Sequence, residues 1–326
     1  MAKKKSRTET KLDYLNELKL NTDIKFVKKE LCKLLSSKNN IIAAKAAKVS
    51  ADSNIRDLIK NLLSAFDYFM NNPQKNDKGC IAKEVIIESL DKMEYDQDDI
   101  FIRGINHHQF EPAYPKPVDT AGMLRAKSLF ALYRLNNKNI FFILSDLLFD
   151  SELCVRSAAI KVLSQLCCDE SELLLRVKIK AFDDEIKIIA DCFSALMNIN
   201  PMRSLLFIEK YLNSNDPIIA ENAAFAIGES QSKEGLNTLI RFRENAIFSK
   251  NQNIVLLPVA LTKLDKAFEY LIQVVENESK ISAVAALKAL KIYGHNEKYR
   301  NIIQKIVEKK KDDEILKIFE KEFIKE

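Results

Sequence analysis

The chain has 326 residues, of which only six are glycine and seven proline, well below ordinary usage. So few turn-formers exclude a β-rich or conventional α/β body, and the length fits either two ordinary domains or one continuous stack of repeats. The net charge is +5, but Lys3, Lys4, Lys5, Arg7 and Lys11 face only Glu9 near the start; the rest is close to neutral and lacks the basic balance of a phosphate-neutralising protein.

Residues 1–21 read as a basic leader, partly disordered, merging into a short helix that carries Leu12, Leu15, Leu18 and Leu20. Residues 24–35 are amphipathic, with Phe26, Val27, Leu31, Leu34 and Leu35 on one face. An alanine-rich helix follows over 41–49, then another over 55–70 that stops at Asn71-Asn72-Pro73. Asp77-Lys78-Gly79 leads into a helix over 81–93 with Val85, Ile86, Ile87 and Leu90 turned inward. We read 22–95 as irregular N-terminal hairpins, 96–118 as a helix and a long loop, and 119–325 as regular repeats of the same body.

In that regular part each hairpin pairs two helices: 140–149 with 153–166, 172–181 with 186–199, 202–212 with 218–227, 236–247 with 254–264, and 267–275 with 281–292. Helices over 299–310 and 315–323 close the series. Equivalent positions recur, since Val155 to Ile186 is 31 residues and Ile186 to Ile219 is 33. The second helix of each pair carries small residues where a neighbour must come close: Ala46/Ala47, Ala159, Ala190, Ala223/Ala224 and Ala285/Ala286. In 216–228, Asp216 suits an N-cap, Pro217 the first turn, and Gly228 a left-handed stop. One hairpin cannot bury its apolar face alone, so stacking is what lets such an array fold.

The 216–228 helix, with Val155-Arg156-Ser157-Ala158-Ala159 and Ser282-Ala283-Val284-Ala285-Ala286-Leu287, resembles HEAT repeats of the short bacterial type related to phycobilisome-lyase repeats. The resemblance spans roughly 22–325 and implies an all-α, right-handed α-solenoid. Asp150, Asp216 and Arg156 echo the Asp and Arg with which such repeats link neighbours. The scaffold serves adaptors, lyases, hydroxylases and DNA-repair proteins alike, so function must come from a site. The di-iron hydroxylases of this kind use repeated His-Glu pairs, and no His-Glu dipeptide occurs here. The glycosylases use aromatic residues, commonly Trp, in a basic groove; this chain has no Trp.

One stretch breaks the pattern. Residues 103–117 hold two of the three histidines and three of the seven prolines, in a connection longer than helix pairs ordinarily need. Arg103, His107, His108, Glu111, Tyr114, Asp119 and Arg125 are the candidate ligand- or partner-binding residues, with Asp119-Thr120 expected to cap the next helix. They compose either a polar pocket for a peptide, anion or metal, or a cover over a junction in the array. Adjacent histidines ligate one ion poorly and no Cys or H-x-x-x-H accompanies them, so no metal or cofactor is expected.

Six cysteines without a C-x-x-C pair point to a reduced, cytoplasmic protein. The longest apolar run, 254–261, is far below the roughly 20 residues of a membrane span. The expected function is a non-enzymatic scaffold or adaptor that holds another protein on its concave face. The alternatives are a lyase-like or other ligand-binding enzyme with a pocket at 103–125 and, third, nucleic-acid binding.

Overall fold

The computed structural model describes residues 7–245 and 252–324; residues 1–6 of the expected leader lie outside the described residues. Among the described residues the chain is all-α and repeat-like, with twenty α-helices and one two-stranded ribbon. It divides into two compact units, Met1–Val162 and Leu163–Glu326, with the boundary inside a single helix.

The first unit begins with α1 (Arg7–Leu20), α2 (Ile24–Leu35), α3 (Asn40–Asp52) and α4 (Ile59–Met70). The four-residue α5 (Pro73–Asn76), α6 (Ile81–Lys92) and α7 (Asp99–Ile105) follow. Strands β1 (Phe110–Glu111) and β2 (Val118–Asp119) then pair antiparallel, with Phe110 opposite Asp119 and Glu111 opposite Val118. The unit continues through α8 (Gly122–Arg134) and α9 (Ile140–Leu147) into α10 (Leu153–Leu166), which holds the boundary.

Local chemistry sets these boundaries. The Asp23 carboxylate accepts the Phe26 N–H at 3.1 Å and starts α2; the Asn39 side chain accepts the Ile42 N–H at 3.0 Å and starts α3. Ala43, Ala46 and Ala47 are fully buried where α3 meets α6, and their small size lets the helices approach closely. α6 packs in turn on α8, while α2 and α4 cover the α3–α6 layer. In α1, Leu15 and Leu18 are buried and Leu20 is exposed.

The second unit contains α11 (Asp169–Ala181), α12 (Ile186–Ile199), α13 (Pro201–Ile208), α14 (Pro217–Glu229) and α15 (Lys233–Asn245). It continues with α16 (Leu256–Leu261), α17 (Asp265–Asn277), α18 (Lys280–Leu290), α19 (Glu297–Lys310) and α20 (Asp313–Phe319). α12, α14, α16, α18 and α20 pack side by side in chain order, each with a partner helix from its own hairpin. Asp216 caps α14 by accepting the Ile218 N–H at 2.9 Å, and Pro217 occupies the first turn as its sequence position implies.

Two expectations are corrected. Gly228 is no left-handed stop: it lies inside α14, and a Cβ there would stand 2.3 Å from the Pro258 carbonyl oxygen of α16. Close approach between helices explains the glycine. The helix expected over 254–264 is instead a 3-10 turn (Gln252–Val255) followed by the six-residue α16, with Pro258 inside it. No helix among the described residues is long and apolar enough to cross a membrane.

Candidate functional site

The loop between α7 and α8 is built around buried charge. Asp119 ends β2, and its Oδ1 accepts the N–H groups of Gln109 at 2.9 Å and Ala121 at 3.0 Å. It therefore braces the turn three residues ahead of the start of α8 instead of capping the helix, whose N-cap is Ala121. The Asp119 Oδ2 accepts from Arg125 Nη1 at 2.8 Å and lies 2.8 Å from His108 Nδ1. Burial opposes the charge on this carboxyl, but those backbone N–H groups, His108 and Arg125 outweigh it and hold the pKa at about 2.

Arg125, on the first turn of α8, is fully buried. Its Nε and Nη2 donate to the two oxygens of Asp150, each at 2.8 Å, and Nη1 also reaches the His107 carbonyl at 3.0 Å. This is a bidentate pair with a further carboxylate on the same guanidinium. Burial disfavours the guanidinium charge, yet Asp150 and Asp119 more than offset it, so the Arg125 pKa is raised. Asp150 in turn accepts the Glu152 N–H at 2.8 Å, and its carbonyl accepts from Arg156 Nη1 at 2.8 Å. One guanidinium thus ties α8 to the loop before it and to the turn after α9.

A second network lies under β1. Asp77 and Lys83 are both fully buried and paired at 3.1 Å. The Asp77 carboxylate also accepts the N–H groups of Ala82 and Lys83 at the start of α6, and the Asn40 amide. Lys83 Nζ donates to Gln109 Oε1 at 2.8 Å, while Gln109 Nε2 donates to the Asp77 carbonyl at 2.8 Å and to Glu111 Oε1 at 2.7 Å. Glu111 Oε1 further accepts the Gly79 N–H at 2.6 Å and the Thr120 hydroxyl at 3.2 Å. Burial pushes the Glu111 carboxyl up, but Gly79, Gln109 and Thr120 together leave it below its ordinary value.

The structure brings His107, His108, Glu111, Asp119 and Arg125 together around this loop, and it places the other two candidates differently. Arg103 pairs with Asp67 at 2.8 Å on the surface and sits 5.4 Å from the Phe66 ring centroid. Tyr114, at the loop tip before a cis Pro115, is fully exposed and touches none of the buried network. His107 is half-buried, which lowers its pKa. His108 stacks nearly parallel on Phe110, with 6.2 Å between centroids, and borders a surface cleft of about 390 Å³ with Asn106, Asp146 and Ser151. Among the described residues no group of three metal-ligating side chains converges.

Sequence reasoning missed Asp77, Lys83 and Gln109, and gave Asp150 no role at this site. A signal existed for Lys83 alone. It sits three and four residues before Ile86 and Ile87, on the face of α6 that their burial defines. A lysine on an apolar stripe requires a buried partner.

No protein-family model and no curated protein matches the chain. Two crystal structures of engineered proteins align with it. The first is 14% identical, covers 98% of this chain and 95% of its own, and has a TM-score of 0.38. The second is 14% identical, covers 90% and 94%, and has a TM-score of 0.18. Neither likeness bears on what the chain does.

Proposed function

We propose that this chain is a protein-binding scaffold, a right-handed α-solenoid of HEAT-like hairpins whose second helices line the binding wall. One observation supports the reading most. The side chains of Gln109 and Glu111, and of Asp119, Arg125 and Asp150, hydrogen-bond or ion-pair with one another, while Phe110, Tyr114 and Val118 on the same loop face solvent. A loop braced from within that turns Phe110, Tyr114 and Val118 outward suits contact with another protein better than turnover of a small molecule.

The test is capture of the native partner by the full chain, followed by substitution of exposed second-helix positions such as Lys187, Ser194, Glu221 and Lys288. Loss of capture at unchanged helicity is expected. Undiminished capture across the whole scan refutes the proposal.

A second reading, a ligand-binding enzyme, is favoured by the His108–Asp119 pair at the edge of the cleft. Against it, Asp119 Oδ2 is shared with Arg125, so this carboxylate is already committed to the buried ion-pair network. A thermal-shift ligand screen on wild type and His107→Ala/His108→Ala separates the two. A ligand whose stabilisation depends on those histidines favours the enzyme.

A further inference from the structure

We propose that the loop face of the first unit docks an acidic protein segment carrying aliphatic or aromatic side chains. This inference rests on the scaffold reading and gives its partner a chemistry. Three loops make the face: 36–40 before α3, 71–80 before α6, and 106–121 before α8. They form one surface because they are stitched together. Asn40 Nδ2 donates to Asp77 Oδ1 at 3.0 Å and to the Lys78 carbonyl at 3.1 Å, joining the first loop to the second. The Gly79 N–H on Glu111 and the Gln74 amide on the Phe110 carbonyl, each at 2.6 Å, join the second to the third.

Charge is sorted by depth across these loops. Their carboxylates are Asp77, Glu111 and Asp119, and all three are buried and bonded inward. Their lysines are Lys38, Lys75, Lys78 and Lys116, and all four are exposed; none forms a salt bridge among the described residues. The Asp77 charge is met by Lys83 and the Asp119 charge by Arg125, while Glu111, without an ion pair among the described residues, lies within electrostatic reach of Lys78. The same loops and the helix starts that follow them also expose apolar side chains: Ile41 and Ile81 on the first turns of α3 and α6, then Phe110, Tyr114 and Val118.

A face whose exposed lysines form no salt bridge among the described residues, and whose loops also expose apolar side chains, complements a segment that combines carboxylates with apolar side chains. The charges steer and register the encounter, and the apolar contacts supply affinity. Single-stranded nucleic acid matches the apolar part poorly. Ile41, Ile81 and Val118 offer no ring on which a base can stack, which leaves only Tyr114 and Phe110, the latter lying nearly parallel to His108, as stacking surfaces among the apolar residues named. Nucleic-acid interfaces are also more polar and more densely basic than this one.

The experiment pans a random peptide display library against the full chain. Expected are enriched peptides that combine Asp or Glu with aliphatic or aromatic residues. They should bind at least about tenfold more weakly to the variant Lys38→Glu/Lys75→Glu/Lys78→Glu/Lys116→Glu, as for loss of interface charge complementarity. A second variant, Phe110→Ser/Tyr114→Ser/Val118→Ser, should weaken binding while leaving its salt dependence in place. All seven positions are exposed, and circular dichroism checks that helicity is retained. Enrichment of peptides without acidic residues, no enrichment, or undiminished binding to the charge-reversed chain overturns the proposal. Random-sequence single-stranded RNA binding with the same lysine dependence also overturns it. Native-partner capture lost in the second-helix variants but untouched by both loop variants defeats this inference and leaves the scaffold reading standing.

Discussion

Replacing Arg125 by methionine removes one side chain from between two buried carboxylates. Arg125 is wholly excluded from solvent, and the Asp119 and Asp150 side chains are 1% and 6% exposed, so water cannot take over its role in place. Neither carboxylate is left bare. Asp119 keeps the N–H groups of Gln109 and Ala121 and its contact with His108, and Asp150 keeps the Glu152 N–H. The lost bonds are the bidentate pair to Asp150, one bond to Asp119 and one to the His107 carbonyl.

Breaking a buried ion pair from one side costs about 3–5 kcal/mol, most of it from the charge left behind. For a folding unit of this size that corresponds to a melting temperature lower by roughly 6–20 °C. Thermal unfolding at neutral pH, followed by circular dichroism, measures it. The sign of the pH dependence follows from the Asp119 pKa, depressed to about 2. A depressed carboxylate contributes stability above its unfolded value near 4 and loses it as pH falls through the folded value. The gap between wild type and Arg125→Met should therefore narrow as pH drops from about 4 towards 2. A melting temperature within about 2 °C of wild type at neutral pH refutes the assignment of Arg125 as the tie between loop, α8 and the α9–α10 turn.

Gly228→Ala places a methyl against the Pro258 carbonyl and should destabilise by about 1–3 kcal/mol, despite alanine's better helix propensity; an unchanged or raised melting temperature shows the contact is not limiting. Burial lowers the His107 pKa, so its NMR titration midpoint should fall below the ordinary value of about 6.5. The unfolded chain then takes up that proton first, and stability declines as pH drops through the same range; a midpoint at or above the ordinary value contradicts the buried placement. Thiol labelling should modify exposed Cys167 well before Cys80 and Cys192, whose thiols are buried and raised in pKa, that of Cys80 to about 12. Equal labelling rates at all three positions would contradict the core as described.

Much of the architecture was legible because helix formation is local. The low glycine content, the apolar spacing of 24–35 and 81–93, and the Asp216-Pro217 start all report on neighbours within a turn or two. Gly228 shows the limit of that reasoning. A glycine near a helix end is correctly read as a cap on local grounds, but here its reason is a carbonyl thirty residues further along the chain.

The candidate loop divides along the same line. Sequence alone singled out 103–125 by its length and composition, and named His107, His108, Glu111, Asp119 and Arg125, which the fold does gather. It could not say which way each would face. Asp119 and Arg125 turn inward because Asp150, 25 residues beyond Arg125, waits for the guanidinium, and Glu111 turns inward because the Gly79 N–H lies beneath it. Arg103 and Tyr114 find no such partner in the buried network and remain outside. Helix content and stacking follow from periodicity written into short stretches. The burial of a charge depends on a partner from a distant stretch arriving within about 3 Å, and only the folded chain decides that.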